Sequence, residues 1–355
     1  MRPGANAALL PDRSAMNRRT GLTAPILVVG AARSGTTLTA AILGRHPRIL
    51  SLGETHFYED IWSRGHGPYT WEKTGRGAAM ARRTLSLFGR YNFPDAQHFV
   101  DDRLTLPALL EEAASTGADL HALYSAFTRL LARAAGKESL CDDTPKHAFF
   151  LEPILAGLAD VKAVALVRDP RDYLASYKNY WRRSNESWRV RALYHPINSS
   201  LLWRSTWSHL SRVARADGSN RVLLVRYEDL VFDPERNARS ICAFLGIDFL
   251  PEVLEVYSSN SSFGSQAEGI FSSSVGRWRE ALTEAEVWWC QRITGSALTR
   301  LGYAAAPVQA RAGSVARLLL TSPISLASGL WANRAKRGPL AGYLARRARG
   351  LFRRG

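Results

Sequence analysis

The stretch Pro25-Ile-Leu-Val-Val-Gly30-Ala-Ala-Arg33-Ser34-Gly35-Thr36-Thr37-Leu38 decides how the rest of the chain reads. An aliphatic, β-branched run with no polar alternation is what a strand buried on both faces requires, so a parallel strand is predicted up to Val29, ending in Gly30. The glycines let backbone N–H groups converge on an anion, and a helix opening at Thr36 adds its positive end. Gly30 and Gly35 have the spacing of a Walker A phosphate loop, but Thr36 stands where that loop has lysine. Arg33 instead puts a fixed cation inside the loop, which is poorly equipped for a γ-phosphate but well equipped for another anion.

Working outward, the first helix should run from Thr36 to Arg45 and stop before Pro47, with a second strand over Arg48–Leu52. Residues 57–100, rich in aromatics, glycine and proline, read as a substrate-facing excursion more than as core. Leu104–Ala135 is mostly helical. Lys162–Val167 is a clear buried strand, followed by Asp169-Pro170 and a helix through about Tyr180, and Arg221–Val225 is another strand. Asp233-Pro234 opens a helix that reaches Leu245 and is closed by Gly246. Strands alternating with helices predict the α/β class, a central parallel sheet flanked by helices.

The chain has 355 residues, 46% of them hydrophobic, which excludes wholesale disorder. Its net charge of +16 is unevenly placed. From Tyr303 on there are ten basic residues and no acidic one, so the remainder is only mildly basic and no nucleic-acid partner is expected. The expected organisation is a flexible leader over 1–24, a domain over 25–302 and a basic, partly amphipathic tail over 303–355. Within that tail Leu318–Asn333 reads as too short and, with Pro323 and several serines, too polar for a membrane span. Leu340, Tyr343, Leu344, Leu351 and Phe352 share a helix face opposite Arg346, Arg349 and Arg353, a pattern that suits an anionic membrane surface. Cys141, Cys242 and Cys290 fit neither a disulfide framework nor a zinc knuckle. No secretory signal pattern precedes Ala24, so a cytoplasmic location is expected, peripheral to the inner face of the membrane if the tail engages it.

Two further motifs accompany the loop. In Leu166-Val-Arg168-Asp-Pro-Arg-Asp-Tyr-Leu-Ala-Ser176, an Arg stands at a strand's C-terminal end, where parallel sheets bind ligands, and a Ser follows two helical turns on; together they can clamp one phosphate. The third is Arg226-Tyr227-Glu-Asp-Leu-Val-Phe-Asp233-Pro, followed by Ile241-Cys-Ala-Phe-Leu-Gly246. The three together resemble the sulfotransferases that use 3′-phosphoadenylyl sulfate (PAPS), closer to the bacterial and tyrosylprotein branches than to the cytosolic phenol branch. The resemblance covers about residues 25–302 and implies a P-loop-like three-layer fold.

It also implies roles. Arg33 would contact the transferring sulfuryl group, the loop Ser34, Gly35, Thr36 and Thr37 would hold the 5′ end, and Arg168 with Ser176 the 3′-phosphate. Tyr227 matches the adenosine-side tyrosine. Glu54, in Gly53-Glu54-Thr-His56, follows Arg33 by the twenty-one residues that separate loop Arg and general base in the tyrosylprotein branch. His56 and His147 are rival bases. Asp143-Thr-Pro-Lys146 resembles the family's Thr-Pro segment, with Asp143 where relatives often carry Lys, and Lys146 is the candidate second cation. Ser273, Ser274 and Arg277, before Trp278, are candidates in the segment that closes over the donor. No metal is expected where cations stabilise the developing charge. The alternatives are a P-loop-type kinase or NTPase and a non-catalytic polyanion- or membrane-binding protein. Trp62, Tyr69, Trp71, Trp181 and Trp188 suit a glycan or lipid acceptor as well as a small phenol or a protein tyrosine.

Overall fold

Five strands run parallel in the order β2-β3-β1-β4-β5 in the computed structural model, which describes residues 23–62, 68–87, 104–183, 187–256 and 269–332. They are β1 (Ile26–Gly30), β2 (Ile49–Gly53), β3 (Ser139–Asp142), β4 (Lys162–Val167) and β5 (Val222–Arg226). Alternation along β1 sorts its side chains to two faces. Leu27 and Val29 join Leu140, Ala163 and Ala165 beneath the helices Leu106–Thr116 and Leu120–Ala134. Ile26 and Val28 join Val164 and Leu166 beneath α1 (Thr36–Gly44) and the helix Pro234–Leu245. Both faces are therefore covered, which is why the strands carry no polar alternation. The architecture is the expected P-loop-like three-layer α/β fold.

Element bounds fall within a residue or two of the sequence reading, with three corrections. β3, absent from the sequence reading, pairs with both β1 and β2 and so stands inside the sheet. Residues 57–61 are core rather than excursion: Phe57, Tyr58 and Ile61 are fully buried against Leu123, Tyr124 and Phe127. The body also does not end at Gly302. The buried Tyr303 donates to Glu228 Oε2 at 2.7 Å, Arg171 donates to the Ala304 carbonyl at 2.8 Å, and Ala306 is bonded to Gln291.

Further on, the helix Ala312–Ala332 spans 21 residues at a mean hydropathy of 1.3, long and apolar enough by length and composition to cross a membrane, contrary to the expectation for Leu318–Asn333. The leader up to residue 22 and the amphipathic pattern over 340–353 lie outside the described residues.

Candidate active site

Because all five strands are parallel, their C-terminal ends share one edge of the sheet, and one candidate side chain follows each of them. Arg33 follows β1, Glu54 follows β2, Lys146 follows β3, Arg168 follows β4 and Tyr227 follows β5.

In the loop after β1, Ser34 N–H donates to the Ala31 carbonyl, and Arg33 (φ 71) and Gly35 (φ 97) take left-handed backbone. At Gly35 this conformation favours glycine, and space demands it: a Cβ there would lie 2.4 Å from Cδ2 of Tyr227. The loop thus closes on the Tyr227 ring, leaving the amides at the start of α1 at the open edge. The Ser34 hydroxyl is fully buried and meets no hydrogen-bond partner among the described residues.

Arg33 reaches across to the helix Pro170–Asn179, donating from Nε to Ser176 Oγ at 3.3 Å, and its guanidinium sits 4.6 Å from the centre of the Tyr180 ring. Arg168 is buried, lies 4.3 Å from the centre of the Tyr227 ring, and donates to the carbonyls of Arg33 (3.1 Å) and Ser274 (2.9 Å). The Tyr227 hydroxyl meets Ser274 Oγ at 2.6 Å. Arg33, Arg168, Ser176, Tyr227 and Ser274 therefore form one connected group. Asp169 is taken by Arg171 at 2.7 Å, while the charge of Arg168 acts on Asp172. Arg277 turns Nε back to the Ser273 carbonyl, bracing its own segment, and Thr37 faces solvent at the start of α1.

A second group lies after β2 and β3. Asp142, buried at the end of β3, accepts from the Thr55 N–H, the Tyr124 hydroxyl and the Thr144 N–H, and so fixes the chain on both sides of the site. Glu54, two-fifths exposed, meets His56 Nε2 at 2.9 Å, while His56 Nδ1 is held by Glu59. Burial alone would lower the His56 pKa, but the hydrogen bonds to the two carboxylates raise it to about 9. For Glu59, burial is outweighed by Lys146, 3.0 Å away, and by His56, and its pKa falls to about 2. Asp143 goes the other way: burial and the Glu54 charge lift it to about 7. His147 is fully buried, with Nε2 accepting the Tyr58 N–H and Nδ1 facing Asp142, and burial lowers its pKa. Both contacts tie it to the packing around β3.

A family model described as the sulfotransferase family matches residues 25–251, which include the loop, both acid-bearing strand ends and the Arg168–Ser176 motif. The chain belongs to the sulfotransferase family. Among curated relatives, the nodulation protein NoeE of Sinorhizobium fredii is 27% identical over 78% of this chain and 65% of its own length, so the chain spans less than two thirds of that relative. Human carbohydrate sulfotransferase 6 is 28% identical over 78% of this chain and 80% of its own. The solved sulfotransferase domain from the curacin biosynthetic pathway has the same fold, with a TM-score of 0.50 at 20% identity, covering 81% of this chain and all of that one.

Two positions of this candidate site were not read from the sequence. Asp172 accepts from the N–H groups of Gly276 (2.7 Å) and Trp278 (3.0 Å), tying the segment that carries Ser274 and Arg277 to the helix of Ser176. Tyr180 supplies the ring beneath Arg33. Nothing local in the sequence marks either, since an Asp in the first turn of a helix and a Tyr at its end are ordinary there.

Proposed function

We propose that the chain transfers a sulfuryl group from PAPS to a hydroxyl or amine acceptor and releases adenosine 3′,5′-bisphosphate. The observation that carries this reading is the hydrogen-bonded connection of Arg33, Ser176 and Arg168 at the sheet edge, beside a phosphate loop without its lysine. The residues present suit such a donor: Ser34 keeps a buried hydroxyl and Arg168 a buried Nε with no partner among the described residues. When bound, the donor supplies an activated sulfuryl group on a phosphosulfate anhydride.

This chain's residues bind, orient and move the proton. The amides of Gly35, Thr36 and Thr37, with Ser34, hold the 5′ phosphate at the positive end of α1. Arg168 and Ser176 take the 3′-phosphate, with Tyr227, Ser274 and Arg277 on the adenosine side. Arg33, pinned by Ser176 and Tyr180, meets the negative charge that grows on the bridging oxygen, and Lys146 adds a second cation, so that charge is neutralised by side chains rather than a metal. β3 separates β2 from β1, so Glu54 and Arg33 descend from strands about 10 Å apart at the usual strand spacing, room for an acceptor between base and cation.

Glu54 takes the acceptor proton. Of the three candidate bases it alone is open, since His56 is held charged by two carboxylates and His147 is enclosed. A glycan, a lipid, a small molecule and a protein tyrosine all satisfy this arrangement as acceptors. The test is thermal unfolding with nucleotides: adenosine 3′,5′-bisphosphate should raise the midpoint and ATP with magnesium should not. An equal rise with ATP and magnesium would favour the kinase reading instead.

A further inference from the structure

Helices of soluble domains turn their apolar stripe inward. The helix Ala312–Ala332 keeps a second set of apolar residues outside. Its less exposed positions mix Val315, Leu318 and Leu330 with the small or polar Ser314, Ser322, Ser325, Gly329 and Ala332. Outward it shows Leu319, Leu320, Ile324 and Leu326, exposed by 53, 74, 67 and 46%. Polar bonds fasten it: Ser322 Oγ to Asn198 Oδ1 at 2.7 Å, Thr321 Oγ1 to His195 Nε2 at 3.1 Å, and Trp289 Nε1 to the Val315 carbonyl at 3.0 Å. Fastened along its length to the helices Pro196–Ala216 and Glu284–Arg300, it lies flat on the domain rather than standing free to cross a bilayer.

Its surroundings extend the same surface. Gly329 packs so closely on the Ala192 carbonyl that a Cβ would lie 3.0 Å from it, and beside that contact Trp188 and Leu193 are exposed. This is the segment that leads back to Trp181, 5.0 Å from the Arg191 guanidinium, and to Tyr180 under Arg33. The apolar surface therefore adjoins the mouth of the site. The sequence charge around it has one sign: Arg311 and Arg317 on the near side, then eight further basic residues after Asn333, with no acid from Tyr303 on. A surface of that charge repels a second copy of itself and attracts an anionic one.

We propose that the outward face of the helix Ala312–Ala332, with Trp188 and Leu193 beside it, docks on an anionic lipid bilayer and holds the mouth of the active site at the headgroup level. Leucine and isoleucine enter the headgroup boundary, while the arginines pair with lipid charge.

The experiment is sedimentation of the full chain with vesicles of phosphatidylcholine, with and without phosphatidylglycerol, at low and high salt. Binding should need the anionic lipid and fall with salt. Leu320→Glu combined with Ile324→Glu should cut it at least about 10-fold, because each loses a side chain from the apolar phase. Both positions are largely exposed, so the melting curve should stay that of the wild type, and Leu320→Glu alone gives a milder variant. A chain ending at Ala332 should keep measurable binding. Wild-type sedimentation of the double variant would overturn the proposal and leave binding to the basic residues beyond. So would a dimer in size-exclusion chromatography with light scattering that the double variant dissolves, since a second copy would then cover the face.

Discussion

Arg168 donates to the backbone carbonyl of Arg33 at 3.1 Å, so the two arginines of the site are held apart at fixed distance by one peptide group instead of repelling each other freely. Ser176 completes the arrangement from the other side, taking Arg33 Nε at 3.3 Å. Ser176→Ala should weaken adenosine 3′,5′-bisphosphate by about 3- to 10-fold, the effect of one neutral hydrogen bond. Adenosine 5′-phosphate, which lacks the 3′-phosphate, should be nearly unaffected. Isothermal titration of both nucleotides at fixed salt decides it, and equal losses would remove Ser176 from the 3′ side.

Gly35→Ala should lose nucleotide binding while keeping the sheet. The new Cβ would be driven against the Tyr227 ring, and a left-handed alanine costs about 1–2 kcal/mol before the clash is counted. A fall in affinity of about 10-fold or more is expected by titration, with an unchanged far-ultraviolet circular dichroism spectrum.

Glu54→Gln should retain nucleotide affinity and lose turnover by about 10²- to 10⁴-fold, the usual contribution of a general base. Rapid-quench assay of sulfuryl transfer separates the two quantities. Turnover near wild type would move the role away from this carboxylate.

The acid cluster makes two pH signatures of the same sign in successive windows, stability falling as pH rises in each. His56 is raised from 6.5 to about 9, so the stability it contributes is complete below about 6.5 and is lost as pH rises through about 9. The stability advantage of wild type over His56→Gln should shrink across that window. Asp143 is an acid raised from 3.8 to about 7: the folded chain keeps its proton longer than the unfolded one, so stability falls as pH climbs from about 4 to 7. Asp143→Asn removes that penalty and should gain on wild type over the same range. Urea denaturation at a series of pH values reads both.

Asp172→Ala should cost about 2 kcal/mol or more of stability, because two backbone donors lose their buried acceptor. It should also raise KM for the donor more than it lowers kcat, since what moves is the segment carrying Ser274, not the reacting groups.

How much of this could be read beforehand depended on where the information lay. β1, β4 and β5 announce themselves through unbroken aliphatic runs such as Lys162-Ala-Val-Ala-Leu-Val167. β3 does not: Ser139-Leu-Cys-Asp142 is four residues long with no β-branched member, and it is a strand because β1 and β2 both bond to it. Residues 57–100 read as an excursion because aromatics, glycine and proline crowd them, yet over Phe57–Ile61 the rings face the core, and Glu59 is bound by His56 and Lys146. Arg33, Arg168 and Tyr227 could be placed because each follows a strand end, and Ser176 because it lies two turns into the helix after Arg168. Asp172 could not, since its partners are more than a hundred residues away.

Glu228 carries a consequence for biosynthesis. One of its oxygens accepts the amide of Asp169, immediately after Arg168, and the other accepts the hydroxyl of Tyr303. Arg171 likewise finds the Ala304 carbonyl. The turn that presents Arg168 is thus bolted to polypeptide made some 130 residues later. A nascent chain can lay down all five strands and the phosphate loop and still lack the contacts that square this turn. On the ribosome the sheet comes first and a competent pocket last, so truncated translation products should carry the fold without the grip.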